Sequence, residues 1–207
     1  MSRCAWPRLP AHAAGQRIGL LGGSFDPAHE GHRHISIKAL RRLGLDQVWW
    51  LVTPGNPLKD VSGLAALDAR LARARLVARH PRIRVTGFEE EAGTRYSADT
   101  LERLTARASR VRFVWLMGAD NLAQFHLWER WPDIARTMPI AVIDRPGATL
   151  RALASPAAAA MARHRLDRAD APRLAAMEPP SWVFLFGPRS SESSTRIRQS
   201  SGHDATV

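Results

Sequence analysis

Residues 18–32 read IGLLGGSFDPAHEGH, an apolar run closed by two glycines and followed by a polar loop. Ile35, Ala39, Leu40 and Leu43 then recur at helical spacing, so the segment predicts a strand, a loop and a helix in that order. The pattern repeats downstream. Residues 47–53 (QVWWLVT) form a second strand candidate closed by Pro54-Gly55-Asn56-Pro57, residues 67–79 an amphipathic helix stopped before Pro81, and residues 83–88 a third strand. Ser97 is placed to cap a helix running through Leu101 and Leu104. Residues 112–117 make the next strand, helix follows from Asn121, and residues 139–143 make a strand that ends at Arg145-Pro146-Gly147. Residues 149–176, rich in alanine and arginine, read as helix or flexible connection; residues 182–186 supply a last strand and residues 193–197 open a final short helix. Strands alternating with helices call for right-handed crossovers, which predicts an α/β class: a Rossmann-like open parallel sheet with helices on both faces, in a single domain.

A chain of 207 residues is long enough for one domain with a full core. That domain is expected over residues 17–200, between a disordered arm at 1–16 and a disordered tail at 201–207. Lys and Arg number 30 against 19 Asp and Glu, a formal charge of +11. Such a balance suits a nucleic acid, an anionic membrane or a small polyanion without choosing among them. Arg70, Arg73, Arg75 and Arg79 read as part of a solvated basic face. The single cysteine, Cys4, excludes a disulfide framework and a cysteine zinc site, and a reducing cytoplasm fits. No segment approaches the roughly 18 apolar residues of a membrane span, so the chain reads as soluble, cytoplasmic and without a membrane partner.

In an open parallel sheet ligands bind beyond the carboxyl ends of the strands, which is where residues 22–32 fall. Gly22 and Gly23 let a ligand come close to the backbone, and the start of the following helix offers unpaired N–H groups to phosphate. A phosphate cradle is the functional reading. The spacing is neither GxGxxG nor GxxxxGK[ST]. His29, Glu30, His32 and His34 leave a metal site as an alternative, although the order is not HExxH, and a loop with surface histidines and no chemistry is another. No protein-held metal is expected.

The segment GGSFDPAHEGH at residues 22–32 resembles the GGSFDPxHxGH signature of bacterial nicotinate-nucleotide adenylyltransferases, members of the nucleotidyltransferase superfamily marked by HxGH, here His29-Glu30-Gly31-His32. Gly118-Ala119-Asp120-Asn121 with Trp128 resembles that family's GxD segment and its downstream tryptophan. SSTRIR at residues 193–198 resembles its terminal SSTxIR motif, with Glu192 standing where an isoleucine usually precedes it. The likeness runs in order from about residue 18 to residue 198.

The resemblance implies transfer of AMP from ATP to nicotinate mononucleotide, giving nicotinate adenine dinucleotide and pyrophosphate in NAD biosynthesis, by direct in-line attack without a covalent enzyme intermediate. The attacking phosphate monoester has a second pKa of about 6, so it is largely ionised at neutral pH and no general base is required. By the same resemblance His29 and His32 are the catalytic residues, aimed at the ATP phosphates. Gly22, Gly23, Ser24, Phe25, Asp120 (through the ribose), Ser194, Thr195 and Arg198 complete the ATP site. Nicotinate mononucleotide would meet Trp128 with its ring, Tyr96 and Ser97 with its carboxylate, and Asn56 and Lys59 with its phosphate. Bland readings stand beside these: Trp128 and Trp131 as core, Asp120 as a solvated loop residue, residues 56–59 as a turn, and SSTR as a capped surface helix. ATP is the expected co-substrate and Mg2+ travels with it. The expected partners are these two small molecules and no nucleic acid, with a homo-oligomer left open. Rival readings are a related enzyme using nicotinamide mononucleotide or a phosphopantetheine-like acceptor, and a basic nucleic-acid-binding protein.

Overall fold

The computed structural model describes residues 8–55 and 63–187. Strand β1 (Arg17–Gly23) leads through the glycine loop into α1 (Glu30–Arg42), and β2 (Gln47–Val52) is followed by α2 (Leu67–Ala78). Strand β3 (Ile83–Thr86) is followed by α3 (Phe88–Ala92) and α4 (Ser97–Arg107). Next come β4 (Arg112–Gly118), α5 (Ala119–Leu122), a 3-10 turn (Phe125–Leu127), α6 (Trp131–Thr137) and β5 (Ile140–Ile143). The chain then passes through α7 (Thr149–Leu153), α8 (Pro156–Ala160), β6 (Arg165–Leu166) and a 3-10 stretch (Arg168–Ala176) to β7 (Trp182–Leu185).

These seven strands form one sheet in the order β3-β2-β1-β4-β5-β7-β6, every pairing parallel. Both faces are covered, which is why β2 and β4 read as unbroken apolar runs. Ile18, Leu20, Trp49, Leu51, Trp115 and Met117 point into one core with α4 to α8. Leu21, Val48, Trp50, Val52, Val114 and Leu116 alternate into the other core with α1, α2 and residues 168–176. The expected single α/β domain with a parallel sheet is the observed one.

Three local expectations need correction. Strand β3 ends at Thr86 rather than at residue 88, because Phe88 turns back after Gly87 as the buried first residue of α3. Ser97 is not the cap of α4: Tyr96 is the N-cap, in extended backbone, and its carbonyl accepts the bond from Thr100 N at 3.1 Å, so Ser97 already lies in the first turn. The alanine- and arginine-rich stretch is neither one helix nor free connection, since it includes the two-residue strand β6, which pairs with β7. Ahead of β1, Leu9 packs on the core, the His12 ring meets Trp49 edge-on at 5.5 Å, and Gly15 N donates to Arg110 O at 2.7 Å. Among the described residues no helix is long and apolar enough to cross a membrane.

Candidate active site

The strand order reverses between β1 and β4, and the crevice beyond their carboxyl ends is where an open parallel sheet binds ligands. The loop after β1 fills one side of it. Phe25 adopts φ 49°, in the left-handed region a phenylalanine rarely enters, and buried packing holds it there. Its ring stacks on Trp50 at 4.9 Å and meets His32 at 4.6 Å. His29 is the N-cap of α1 and His32 its third residue, which brings the two imidazoles to 3.9 Å between centroids. The backbone N–H of His29 donates to His32 Nδ1 at 3.3 Å, an arrangement that assigns the ring proton of neutral His32 to Nε2. Behind the turn, Trp50 Nε1 donates to Ser36 Oγ at 2.7 Å, and Ser36 Oγ donates to the His32 carbonyl at 2.9 Å. Burial, with smaller contributions from His29 and Arg145, holds the His32 ring well below the usual histidine range, so it is neutral at pH 7.

Across the crevice, β4 ends at Gly118 and Asp120 follows in the first turn of α5. Asp120 Oδ2 accepts from Arg145 Nη1 at 3.1 Å, while its Oδ1 is buried with no hydrogen-bond partner among the described residues. Arg145 stands just past β5, two residues after Ile143, and its charge reaches His32. The first loop and the Asp120–Arg145 pair therefore face one space. The two glycines differ in purpose. A Cβ on Gly22 would lie 2.6 Å from Trp115 Cη2, so this glycine makes room for an indole from the core, whereas a Cβ on Gly23 would make ordinary contact with Phe25 at 3.5 Å.

Arg70 secures the loops from below. It is 2 % exposed, in contrast to the solvated face expected for it, and only Arg73, Arg75 and Arg79 of that group are exposed. Its Nε donates to Ala65 O at 2.8 Å, Nη1 to Ser24 O at 2.8 Å and to Thr53 O at 2.7 Å, and Nη2 to Pro54 O at 3.1 Å. One planar fork thus ties the ends of β1 and β2 to the segment entering α2. The signal was present in the sequence: Arg70, Ala74 and Ala78 share one helical stripe, and the two alanines are buried.

Trp128 closes the 3-10 turn and lies edge-on to Trp115 at 6.4 Å and to Phe125 at 5.5 Å. It is half-buried against the core, and Tyr96 and Ser97 at the start of α4 are half-buried as well. Asn56, Lys59, Ser194, Thr195 and Arg198, which the resemblance assigns to phosphates, lie outside the described residues.

This arrangement has counterparts among known proteins. Residues 20–200 match the family described as Cytidylyltransferase-like. A relative from Bradyrhizobium named "Probable nicotinate-nucleotide adenylyltransferase" is 60% identical over 186 residues, covering 90% of this chain and 97% of the relative. One of the same name from Methylorubrum extorquens is 60% identical over 182 residues, covering 88% of this chain and 98% of its own. The chain belongs to the nicotinate-nucleotide adenylyltransferase family of nucleotidyl-transferring enzymes. The Plasmodium falciparum nicotinic acid mononucleotide adenylyltransferase complexed with NaAD shares the fold, with a TM-score of 0.66 at 15% identity over 89% of this chain and 83% of that one.

Within this adenylyltransferase family framework, Arg145, Arg70 and Glu89 are the polar groups near the site that motif reading passes over. Arg145 was visible only as part of a strand-ending Arg-Pro-Gly, although its place at a carboxyl end was the useful signal. Glu89 is buried at the start of α3, bonded by the hydroxyls of Thr53 and Thr100; burial pushes its carboxyl up to about 7 against the opposing pull of those bonds. A raised carboxyl pKa means that the folded chain holds the proton more tightly than the unfolded one. This contribution favours folding below the ordinary carboxylate range and is lost as pH rises through about 7. Glu89→Gln is therefore expected to gain thermal stability relative to the parent as pH goes from 5.5 to 8.5, read as the difference between their unfolding midpoints. A difference that stays constant across that range would rule out a buried titrating carboxyl.

Proposed function

We propose that the chain transfers the adenylyl group of ATP to nicotinate mononucleotide, giving nicotinate adenine dinucleotide and pyrophosphate in NAD biosynthesis. The observation that carries this reading is the pair of imidazoles, 3.9 Å apart at the start of α1, facing the same crevice as Asp120 and Arg145. The complex of the Plasmodium protein with NaAD supports a dinucleotide product for this fold.

A phosphate oxygen of the mononucleotide attacks the α-phosphorus of ATP. The new P–O bond forms as the bond to the bridging oxygen of the β-phosphate breaks, and pyrophosphate leaves with the Mg2+ that accompanied ATP, carried by phosphate oxygens. The nucleophile arrives ionised, so the protein's task is to hold two polyanions together and to stabilise charge at the transferred phosphorus. His32 donates from Nε2 to the phosphates beside His29, helped by the fixed charge of Arg145. Asp120, held by Arg145 through Oδ2, accepts a ribose hydroxyl. Gly22, Gly23, Ser24 and Phe25 line the adenylate side, and Ser194, Thr195 and Arg198 take the β- and γ-phosphates. Trp128 covers the pyridine ring, Tyr96 and Ser97 receive its carboxylate at the start of α4, and Asn56 and Lys59 hold the acceptor phosphate. This chemistry runs on cytoplasmic ATP.

A pyrophosphate-release assay with ATP, Mg2+ and each mononucleotide tests the proposal. Turnover with the nicotinate form, at least about tenfold better in kcat/KM than with the nicotinamide form, is the expected result. A preference for the amide would reassign the acceptor, and no pyrophosphate with either would sink the reading.

A further inference from the structure

Two elements assigned above to the pyridine ring, the Trp128 turn and the start of α4, are distant in the chain and bridged by the Arg130 side chain. Arg130 follows Trp128 by two residues and adopts φ 53°, a left-handed conformation that arginine seldom takes. Its guanidinium donates from Nε to Asp133 Oδ2 at 2.9 Å, from Nη1 to Asp99 Oδ1 at 2.8 Å, and from Nη2 to Glu102 Oε1 at 2.5 Å. Asp99 and Glu102 belong to α4 and Asp133 to α6.

A solitary exposed ion pair contributes little, because water screens it and two side chains must be ordered to form it. Arg130 is placed differently. One planar cation satisfies carboxylates from two helices; without it Asp99 and Glu102 of α4 would face one another and Asp133, whose other oxygen stays with Arg136 at 2.9 Å. The same residue fixes the backbone of the turn that presents Trp128. We propose that Arg130 is a positioning residue for the acceptor: by clamping α4 to the Trp128 turn it sets the gap between Trp128 and the Tyr96–Ser97 end of α4, and so the fit of a flat pyridine carboxylate. This rests on the acceptor site proposed above. Arg130 touches no substrate in this account and acts through the separation of the two elements.

Steady-state kinetics of Arg130→Met, with ATP and nicotinate mononucleotide varied in turn, test the proposal. The expected result is a rise of about five- to tenfold in KM for the mononucleotide, with kcat and KM for ATP within about twofold of the parent. Adding Asp99→Asn and Glu102→Gln to that variant removes the uncompensated repulsion and is expected to recover about half of the lost affinity. An unchanged KM for the mononucleotide, or equal changes in both KM values, would overturn the proposal and leave Arg130 a surface ion pair. If Arg130→Met does not fold by circular dichroism, Arg130→Lys keeps the charge without the fork; the same split in KM is expected, and no split overturns the idea. A parent protein that turns over ATP with another acceptor but not with nicotinate mononucleotide would instead remove the acceptor site on which the proposal stands.

Discussion

His32→Ala is expected to fold as the parent does and to lose about 100-fold or more in kcat, the loss typical when a donor directed at developing charge is removed. The reason is geometric. Nδ1 of His32 is engaged by the His29 N–H at 3.3 Å, the ring is wedged against Phe25 at 4.6 Å, and Nε2 is left as the donor. Truncation forfeits one long hydrogen bond and the ring contacts with Phe25 and His29, so the thermal midpoint should fall modestly while turnover collapses. Burial and the neighbouring His29 and Arg145 favour the neutral ring at pH 7, so the proposed donor is the Nε2–H of an uncharged imidazole. Raising the pH from 7 to 8 should therefore leave the parent's kcat flat. Near-parental turnover in the variant would remove His32 from the reaction, whatever the fate of the rest of the site.

Arg70→Met is expected to produce the largest loss of stability, on the order of 3 kcal/mol, since it removes a buried guanidinium and strips four part-buried carbonyls of their partner at once. Methionine fills much of the same volume, so the loss reports the polar interactions rather than a cavity. The oxygens of Ser24, Thr53, Pro54 and Ala65 would be left without the guanidinium that now satisfies them. Arg70→Lys should recover only a minor part, because a point charge on a flexible stem cannot reach the four carbonyls together. Urea unfolding with an unchanged m-value gives the measurement. A loss below about 1 kcal/mol would mean that the loops hold their shape without the fork.

The residue order alone determined the alternation of strand and helix, because two-sided burial writes itself into the apolar runs of β2 and β4 and one-sided burial into the spacing of α1. It also determined the histidine-bearing turn, since His29 and His32 sit at an N-cap and in the first helical turn wherever that helix starts after the loop. Local chemistry was less dependable where it competed with longer-range contacts. Ser97 has the chemistry of a cap, yet the ladder of α4 starts from the Tyr96 carbonyl. Tertiary structure alone decided what Arg70, Arg145, Glu89 and Arg130 do. A helical stripe or a strand end can mark a charged side chain's position, but not its partners: Arg70 ties carbonyls from two loops, Arg145 reaches Asp120 across the crevice, Glu89 is raised by its surroundings, and Arg130 gathers carboxylates from two helices. Each of those facts follows from which strand ends and helix faces the parallel sheet brings together, and electrostatic interactions depend on distance through space rather than along the chain.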